Sequence, residues 1–392
     1  MISVSRLLCD TIGPGDSLRY DNRYLTVDKQ RPIVVWNCTR KCNLHCVHCY
    51  SSASDKDPTE VLSTRQAKSF ICDLADFGVP VILFSGGEPL LRNDIFELAS
   101  FAYEQGIRTA LSTNGTLISE DMAKKIKNSS FAEVGISLDG IGDKNDRFRG
   151  KNGAYKAALQ GIRNCIALGL RVSLRLTITL SNYMEIPAIF DLVEKEGVGR
   201  VCFYHLVYVG RGSALSTEDL SHPQARATFD LICDHTIKLY QRGMPKEVLT
   251  VDNHTDGVYL YLKLRKQDPA RAEKVLTLLR ANGGNNAGIR IGAVDELGNV
   301  HADQFWQHYS FGNVRQRKFG DIWLDTSDQL MNGLKNRKRL LKGRCAKCQY
   351  LDLCNGNLRV RAEAASGDIW AEDPACYLTA SEIGFVYDKK NG

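Results

Sequence analysis

Between Pro32 and Leu206, short apolar runs alternate with amphipathic stretches six times along the chain. The apolar runs predict strands over residues 33–36, 79–84, 107–112, 133–138, 171–178 and 200–205. Apolar residues at helical spacing predict helices over residues 63–77, 93–105, 119–127, 154–168 and 185–196. Apolar strands separated by helices of this length are typical of a parallel sheet made of βαβ units. The pattern therefore predicts an α/β fold, a partial (β/α)6 barrel rather than an open doubly wound sheet.

After Gly210 the pattern changes, and residues 213–282 are predicted to be mostly helical. Residues 289–294 and 300–303 predict a β-hairpin, with Gly298 and Asn299 in its turn. The second group of cysteines follows this hairpin. We therefore predict an N-terminal segment (1–31), a partial barrel (32–210), a helical connecting region (211–287) and a smaller C-terminal domain (288–392).

The amino-acid composition and net charge narrow the classes of function that this chain can have. With 43% hydrophobic and 24% charged residues, the chain resembles an ordinary soluble globular protein. No apolar stretch is long enough to span a membrane, and Asp10 and Gly13 come too early for a secretory signal. The net charge of +6 is modest and spread out; its densest run, Lys335–Arg344, favours a solvated helix face over an anionic partner. We expect a cytoplasmic protein with no membrane and no nucleic-acid partner.

Seven of the 13 cysteines fall into two tight groups. Clustered thiols in a chain without a signal peptide favour metal binding over disulfides. The first group, Cys42, Cys46 and Cys49, has C-x3-C-x2-C spacing directly after the first predicted strand. Three thiolates can bind three irons of a cubane cluster and leave the fourth iron open. The alternative is a zinc site completed by His45 or His48.

Three further motifs follow predicted strands at the carboxyl edge of the sheet, where α/β barrels bind ligands. The turn Gly86-Gly87-Glu88 lets a ligand approach the backbone and offers a carboxylate to an ammonium group. The side chains suited to ribose and carboxylate contacts are Asn114 after the third strand, Ser137 and Asp139 at the end of the fourth, and Arg175 in the fifth. The alternatives are tight turns, helix capping and, for Arg175, a structural ion pair.

The second group, Cys345, Cys348 and Cys354 with the more distant Cys376, supplies four potential ligands. Its spacing alone fits zinc and an iron–sulfur cluster equally well. Cys38, four residues before Cys42, is interpreted as a buried inert thiol, with a hydrogen donor or a displaced cluster ligand as alternatives.

Taken together, the cysteine triplet, the GGE turn and the strand-end motifs resemble the radical S-adenosylmethionine (SAM) superfamily over most of residues 32–206. The resemblance implies that SAM chelates the open iron of a [4Fe–4S] cluster and yields a 5′-deoxyadenosyl radical. Cys42, Cys46 and Cys49 would then ligate the cluster, and Gly86, Gly87 and Glu88 would hold the methionyl amine. The remaining expected cofactor contacts are Asn114, Ser137, Asp139, Arg175 and His48, the last in the place of an aromatic that packs on the adenine.

The C-terminal cysteines resemble the SPASM and twitch extensions of that superfamily. The resemblance implies one auxiliary [4Fe–4S] cluster, fully ligated by Cys345, Cys348, Cys354 and Cys376, with a role in electron transfer. Together with the SAM-binding cluster it implies two clusters and a low-potential electron donor of the flavodoxin or ferredoxin type.

Four phrases, residues 35–42 (VWNCTRKC), 203–208 (FYHLVY), 301–306 (HADQFW) and 351–357 (LDLCNGN), resemble the tetrapyrrole-modifying branch of the superfamily. The implied reaction replaces two acetates of 12,18-didecarboxysiroheme by methyl groups and gives iron-coproporphyrin III. We expect Arg149 and Arg211 to pair with substrate carboxylates and His205 or His301 to bind the substrate iron. For each histidine, an ordinary satisfied side chain is the alternative.

Other activities remain open at this stage. Removal of propionates from the same precursor, toward haem d1, is the first alternative. A SPASM-type peptide maturase is the second, although the chain has few C-terminal cysteines for that class. A molybdopterin-type cyclase would end in two glycines, whereas this chain ends in Asn391-Gly392. A non-catalytic metal-binding module would leave the GGE turn without a purpose.

Overall fold

The computed structural model describes residues 1–13, 16–20, 31–56 and 60–384. By its contacts the chain divides into two compact units. The barrel unit comprises Lys29–Glu218 and Ala287–Lys335, and the terminal unit comprises Met1–Asp28, Asp219–Asn286 and Asn336–Gly392. The division expected from sequence stays a prediction. Its first and last segments include residues 21–30 and 385–392, which lie outside the described residues.

The strands in the described residues are β1 (Ile2–Ser3), β2 (Ile33–Asn37), β3 (Val81–Ser85), β4 (Arg108–Thr113), β5 (Phe131–Ser137), β6 (Val172–Ile178), β7 (Arg200–His205), β8 (Glu247–Val251), β9 (Ile291–Val294) and β10 (Val300–His301). The helices there are α1 (Val4–Cys9), α2 (Ser17–Tyr20), α3 (Thr64–Phe77), α4 (Ile95–Glu104), α5 (Glu120–Asn128), α6 (Asp143–Arg149), α7 (Ala154–Ala167), α8 (Ile186–Lys195), α9 (His222–Gln241), α10 (Thr255–Gln267), α11 (Pro269–Asn282), α12 (Phe319–Leu324), α13 (Gln329–Lys335), α14 (Gly343–Ala346), α15 (Leu351–Cys354) and α16 (Arg359–Ser366). Among the described residues, no helix has both the length and the apolar character needed to cross a bilayer.

The barrel unit contains a sheet of parallel strands in the order β7-β6-β5-β4-β3-β2, each paired with its neighbour in the chain. Beyond β2, β9 adds in parallel and β10 pairs with β9 in an antiparallel hairpin. The predicted α/β partial barrel is confirmed, and the six predicted strands and five predicted helices agree with the observed bounds to within two residues. The predicted hairpin is confirmed too, but its addition to the edge of the barrel sheet was not foreseen.

Local sequence explains why these elements start, stop and pack as they do. Ser63 and Gln66 form a reciprocal capping box at the start of α3, and Gly78 ends that helix with φ of 86°. Trp36 on β2 packs edge-on against Phe70 of α3, with ring centroids 5.5 Å apart, on the helix-covered side of the sheet. Because side chains alternate along a strand, the next residue, Asn37, faces the opposite side of the sheet.

In the terminal unit, the helical character predicted for residues 213–282 is confirmed by α9, α10 and α11. A short strand, β8, interrupts this region and pairs antiparallel with β1. The sequence analysis missed β8, because a five-residue strand that is buried on both faces shows no alternation.

A buried ion pair organises the chain around the last cysteines of the terminal unit. Arg361 and Asp373 are both fully buried and form two hydrogen bonds of 2.8 Å. The same carboxylate accepts from the backbone N–H groups of Leu358, at 2.8 Å, and Ala375, at 3.0 Å. The carbonyl of Asp373 in turn accepts from the N–H of Cys376. The pair therefore fixes the segment that carries Cys376.

Asp373→Asn is expected to lower the free energy of unfolding by about 3–5 kcal/mol, because it leaves a buried guanidinium without its counter-charge. Urea unfolding followed by circular dichroism measures the effect. The matched control is Asp352→Asn, which removes a carboxylate that is 75% exposed and pairs with Lys338. That control is expected to cost less than about 1 kcal/mol. Equal midpoints for the two variants would contradict the role given to Asp373.

Candidate metal and cofactor site

The three cysteines of the first group lie together in the loop after β2, where they pack with Leu44, Ala53 and Ala154. Cys42 and Cys46 are each only 8% exposed. Burial raises the pKa of the Cys42 thiol to about 11, and it also raises the pKa of Cys46 despite the neighbouring arginine. Buried thiols of this kind become thiolates when bound metal compensates their charge. The donor set therefore fits an iron–sulfur cluster.

Backbone hydrogen bonds hold this cluster loop, residues 38–54, against the end of α6. The N–H groups of His45 and Val47 donate to the carbonyls of Arg149, at 3.2 Å, and Phe148, at 3.0 Å. At Gly150, which has φ of 67°, a Cβ atom would lie 2.4 Å from the His45 carbonyl oxygen. Only glycine permits this approach.

Arg211, expected to bind a substrate carboxylate, instead contacts the cluster loop. Its Nε donates to the carbonyl of Cys46 and its Nη1 to the carbonyl of Ala53, both at 2.8 Å. Its backbone N–H donates to the carbonyl of Cys49 at 3.0 Å. Through these three hydrogen bonds, Arg211 stabilises the cysteine loop.

The Gly86-Gly87 turn lies directly against the start of the cluster loop. Gly86 has φ of 138°, and a Cβ atom there would lie 2.3 Å from the carbonyl oxygen of Thr39. A Cβ atom on Gly87 would lie 2.3 Å from the carbonyl oxygen of Lys41. The N–H of Gly87 donates to Thr39 at 2.7 Å. Both glycines are required by this close packing of two backbones.

Glu88 is fully buried, and its carboxylate is occupied by donors of the protein itself. It accepts from the Thr113 hydroxyl at 2.7 Å, from the backbone N–H of Asn114 at 2.8 Å and from that of Leu90 at 3.1 Å. Burial raises the pKa of this carboxyl group, and the three hydrogen bonds act in the opposite direction. The Glu88 side chain thus joins the ends of β3 and β4. The Gly-Gly-Glu motif by itself does not indicate this structural role.

Asn114 links the end of β4 to the cluster loop. Its Nδ2 donates to Asn43 Oδ1 at 2.8 Å and lies 3.9 Å from the Sγ of Cys42. Its Oδ1 accepts from both the N–H, at 2.9 Å, and the hydroxyl, at 2.7 Å, of Thr116. Asn114 is thereby held beside a predicted cluster ligand.

Asp139 lies at the centre of a buried charge network rather than at an open rim. It is fully buried, accepts from the N–H of Thr177 at 2.7 Å and forms an ion pair with Arg149. Arg149 Nη1 also lies 3.7 Å from the Sγ of Cys46, within hydrogen-bonding reach of sulfur. The arginine therefore connects a carboxylate to a predicted cluster ligand, a connection that sequence analysis missed.

His48 borders the same network. Its Nε2 lies 3.8 Å from Asp139 Oδ2, and its ring lies 4.7 Å from that of Phe148, centroid to centroid. Burial lowers the pKa of His48 to about 4, so the imidazole is neutral at physiological pH. His48 thus presents a neutral ring tilted by 40° to that of Phe148, and its contact with the adenine stays a prediction.

Arg175 occupies space that a glycine leaves open. Its Nη1 donates to the hydroxyl of Ser112, on β4, at 2.6 Å. A Cβ atom on Gly135, on the intervening strand β5, would lie 2.3 Å from the guanidinium. Ser137, opposite Arg175 in the register of β5 and β6, is at the carboxyl end of β5. The structure thus brings Arg175 and Ser137 together, with no acidic partner needed to explain the position of the arginine.

The two histidines expected near the substrate iron differ in their surroundings. His205 is 9% exposed at the carboxyl end of β7. His301 is 3% exposed, with Nδ1 2.7 Å from the Tyr309 carbonyl and Nε2 3.4 Å from Asp295. Two acceptors around one imidazole favour its protonated form, which cannot ligate iron. The arrangement favours a structural role for His301.

Cys38 and Tyr50 flank the cysteine triplet in the chain. Cys38 is fully buried, burial raises its pKa to about 12, and its Sγ donates to the Ser85 carbonyl at 3.3 Å. These properties agree with an inert thiol.

Tyr50, which sequence analysis passed over, donates to Asn37 Oδ1 at 2.9 Å and lies 3.1 Å from the Ser85 hydroxyl. The feature of the sequence that could have pointed to Tyr50 is its position directly after Cys49.

In the terminal unit, all four cysteines of the second group line one small cavity, together with Thr255, Val258 and Asn357. Burial raises the pKa of Cys345 to about 11 and raises those of Cys348, Cys354 and Cys376 as well. At Gly284 a Cβ atom would lie 2.3 Å from the backbone of Cys354. The donor set fits a fully ligated metal cluster.

Across residues 1–13, 16–20, 31–56 and 60–384, no three His, Cys, Asp or Glu side chains are placed to hold a single metal ion. The ligands of a cubane cluster bind different irons and need not converge on one point.

Comparison with known proteins gives consistent results. Residues 36–193 match the family model "Radical SAM superfamily". The chain is 57% identical to the Fe-coproporphyrin III synthase of Methanosarcina barkeri, over 98% of this chain and 99% of that protein. It is 42% identical to the pre-heme d1 synthase of Dinoroseobacter shibae, over 91% and 89%. The structure of Streptococcus suis SuiB bound to S-adenosylmethionine superposes with a TM-score of 0.69, at 17% identity over 89% of this chain and 78% of that one.

The structural likeness supports the fold alone, whereas the sequence relationship extends over almost the whole chain. Together with the cysteine loop and the glycine turn that packs on it, this relationship shows that the chain belongs to the radical SAM superfamily and is an enzyme that uses a [4Fe–4S] cluster and S-adenosylmethionine.

Proposed function

We propose that this enzyme of haem biosynthesis replaces two acetate side chains of 12,18-didecarboxysiroheme by methyl groups and forms iron-coproporphyrin III. One observation carries the proposal: the chain is 57% identical, over nearly its whole length, to a protein named Fe-coproporphyrin III synthase. Identity to the pre-heme d1 synthase is lower, at 42%. For that reason acetate removal is preferred to propionate removal.

When bound, the reduced cluster and SAM supply a 5′-deoxyadenosyl radical that abstracts hydrogen from the substrate. The chain's own residues hold these groups. Cys42, Cys46 and Cys49 ligate the cluster, in a loop whose buried thiols need metal to become thiolates. The turn Gly86-Gly87-Glu88 holds the methionyl amine through its backbone, since three protein donors occupy the Glu88 carboxylate.

The remaining SAM contacts come from neighbouring strand ends. Asn114 and Ser137 are proposed for the ribose, Arg175 for the carboxylate, and the neutral ring of His48 for the adenine. Asp139 acts through Arg149, with which it forms an ion pair. Among the expected substrate contacts, His205 remains the proposed iron ligand.

The four cysteines of the terminal unit are proposed to hold an auxiliary [4Fe–4S] cluster. Their placement around one cavity supports this assignment, because a cubane with four thiolates has no open iron and suits electron transfer. A low-potential flavodoxin or ferredoxin is the proposed donor. All thirteen cysteines lie in the described residues and are free of disulfides, which supports a reducing, cytoplasmic location.

The reaction itself is the first test. Anaerobic enzyme with reconstituted clusters, SAM, reductant and didecarboxysiroheme is expected to give a tetrapyrrole with the mass that results when two acetate side chains are replaced by methyl groups. Mass spectrometry of the tetrapyrrole, with 5′-deoxyadenosine measured in parallel, follows the conversion. If the tetrapyrrole loses the mass of propionate groups instead, the enzyme would be assigned to haem d1 synthesis. Formation of 5′-deoxyadenosine with an unchanged tetrapyrrole would reject the substrate.

The auxiliary cluster has a test of its own. Cys354→Ser is expected to lower the iron content from about eight to about four per chain, because it removes one ligand of one cubane. Iron analysis and the iron–sulfur absorbance measure this loss. Cys72→Ser, at a half-buried position of α3 outside both cysteine groups, is the matched control and should keep all of the iron. Unchanged iron in the Cys354 variant would reject the second cluster.

Arg149 is expected to tune the SAM-binding cluster. A guanidinium beside Cys46 stabilises the more negative, reduced cluster, so removing it should lower the reduction potential. A differential interaction of about 1 kcal/mol corresponds to about 40 mV for one electron. Potentiometric titration followed by electron paramagnetic resonance measures the shift.

The control for this prediction separates the effect of Arg149 on the reduction potential from that of the buried Asp139 carboxylate. Arg149→Met combined with Asp139→Asn is compared with Asp139→Asn alone, so that neither variant leaves an unpaired carboxylate. The double variant should have the lower potential. Equal potentials in the two variants would show that Arg149 serves only the folding of the loop.

A further inference from the structure

A buried arginine of the terminal unit, Arg359, lies beside the second cysteine group. It is fully buried at the start of α16. Its Nη1 donates to the carbonyls of Ile369, at 3.0 Å, and Ala371, at 2.6 Å, and its Nη2 donates to the carbonyl of Gly356. These carbonyls hold the guanidinium in place but carry no net charge to balance it. The contacts proposed above for the clusters and the substrate do not include this residue.

The carboxylate that acts most strongly on Arg359 already belongs to another arginine. That carboxylate is Asp373, and both of its oxygens accept hydrogen bonds from Arg361. Burial lowers the pKa of the Arg359 guanidinium, as expected of a cation that is not fully compensated. Its Nε is buried and has no hydrogen-bond partner within the described part of the chain. Two buried arginines therefore share one carboxylate, and positive charge remains to be balanced.

The thiols of the second group can supply the missing negative charge. After Asp373, the groups whose negative charge acts on Arg359 are Cys345 and Cys354. Conversely, Arg359 is the charged group with the largest effect on the pKa of Cys345, which it lowers against the effect of burial. Gly356 lines the four-cysteine cavity, and a Cβ atom on it would lie 3.4 Å from Arg359 Nε. The guanidinium thus lies directly behind the wall of that cavity.

The turn between Cys354 and Arg359 has an unfavourable backbone conformation. Asn355, Gly356 and Asn357 have φ of 52°, 77° and 57°, three left-handed residues in succession. Both asparagine side chains hold the turn through hydrogen bonds of 2.8 and 2.7 Å to backbone groups of the terminal unit. In this conformation the N–H of Gly356 acts to lower the pKa of Cys354, and the carbonyl of Gly356 binds Arg359. Strained backbone of this kind is concentrated at functional sites.

We propose that Arg359 is a positioning residue of the auxiliary cluster, whose thiolates it balances with a fixed charge while it holds the turn at residues 355–357 against them. Four thiolates around a cubane make the site negative, and an added electron makes it more negative. A buried cation beside the site therefore favours both metal binding and the reduced state. Without metal the buried cysteines are neutral thiols, and the guanidinium loses this compensation. The proposal rests on the auxiliary cluster put forward above.

Comparison of Arg359→Lys with Arg359→Met tests the role of the charge, because lysine keeps the charge and methionine does not. In the cluster-loaded enzyme, Arg359→Met is expected to lower the ratio of reduced to oxidised auxiliary cluster at a fixed potential about tenfold, or about 59 mV for one electron. Arg359→Lys is expected to have a smaller effect. Potentiometric titration followed by electron paramagnetic resonance measures the shift, and added SAM distinguishes the signal of the SAM-binding cluster.

The matched control is Arg271→Met, which removes a largely buried guanidinium of α11 that pairs with Asp10. This control should leave the potential of the auxiliary cluster unchanged. Iron analysis of every protein precedes the titration. About four irons in the wild type, instead of about eight, would reject the auxiliary cluster itself.

With the auxiliary cluster present in the wild type, the remaining outcomes decide the role of Arg359. Equal potentials in the wild type and Arg359→Met would overturn the proposal and leave the cluster standing. Equal shifts in the lysine and methionine variants, or loss of the auxiliary iron from both, would assign the arginine to its carbonyl contacts alone and also overturn the proposal. Loss of that iron from Arg359→Met, with retention in Arg359→Lys, would support it.

Discussion

The buried carboxylate of Glu88 is the contact on which the carboxyl edge of the barrel depends. It ties the end of β3 to the end of β4 through Thr113 and Asn114. The glycines before it let the same turn lie against the carbonyls of the cluster loop. An isolated buried carboxylate is costly, but three donors compensate it here. A substitution at Glu88 would thus affect the glycine turn and Asn114 together.

The second constraint is the burial of charge around the cysteine loop. The cysteine thiols, Asp139 and Arg149 share a region where water is excluded, so each charge that forms there needs a partner. In this arrangement the arginine balances a carboxylate and a cluster ligand at once. The arrangement couples the fold of the loop to metal binding, because losing the metal would leave buried thiols with raised pKa values.

Much of the barrel was predictable because its apolar strands and amphipathic helices follow the two periods that secondary structure imposes. The cysteine triplet and the GGE turn were found for a similar reason, since their spacing is local in sequence. The strand β8 and the link between Arg149 and Cys46 were not found. β8 is short and fully buried, and Arg149 meets Cys46 across more than a hundred residues of chain. Contacts of this kind depend on packing, which no local pattern records.

The arginines show that the chemistry of a side chain does not by itself determine what it contacts in the folded protein. Arg211 and Arg149 suit carboxylates by their chemistry, yet one binds the carbonyls of the cluster loop and the other pairs with Asp139. Arg175 differs, because Gly135 leaves space for its guanidinium, which donates to the neutral hydroxyl of Ser112. The hydroxyl of a serine adds no counter-charge to a guanidinium, whereas the charge of a guanidinium paired with an aspartate is already balanced. Anion recognition at this edge of the barrel is thus better sought at Arg175 than at Arg149 or Arg211.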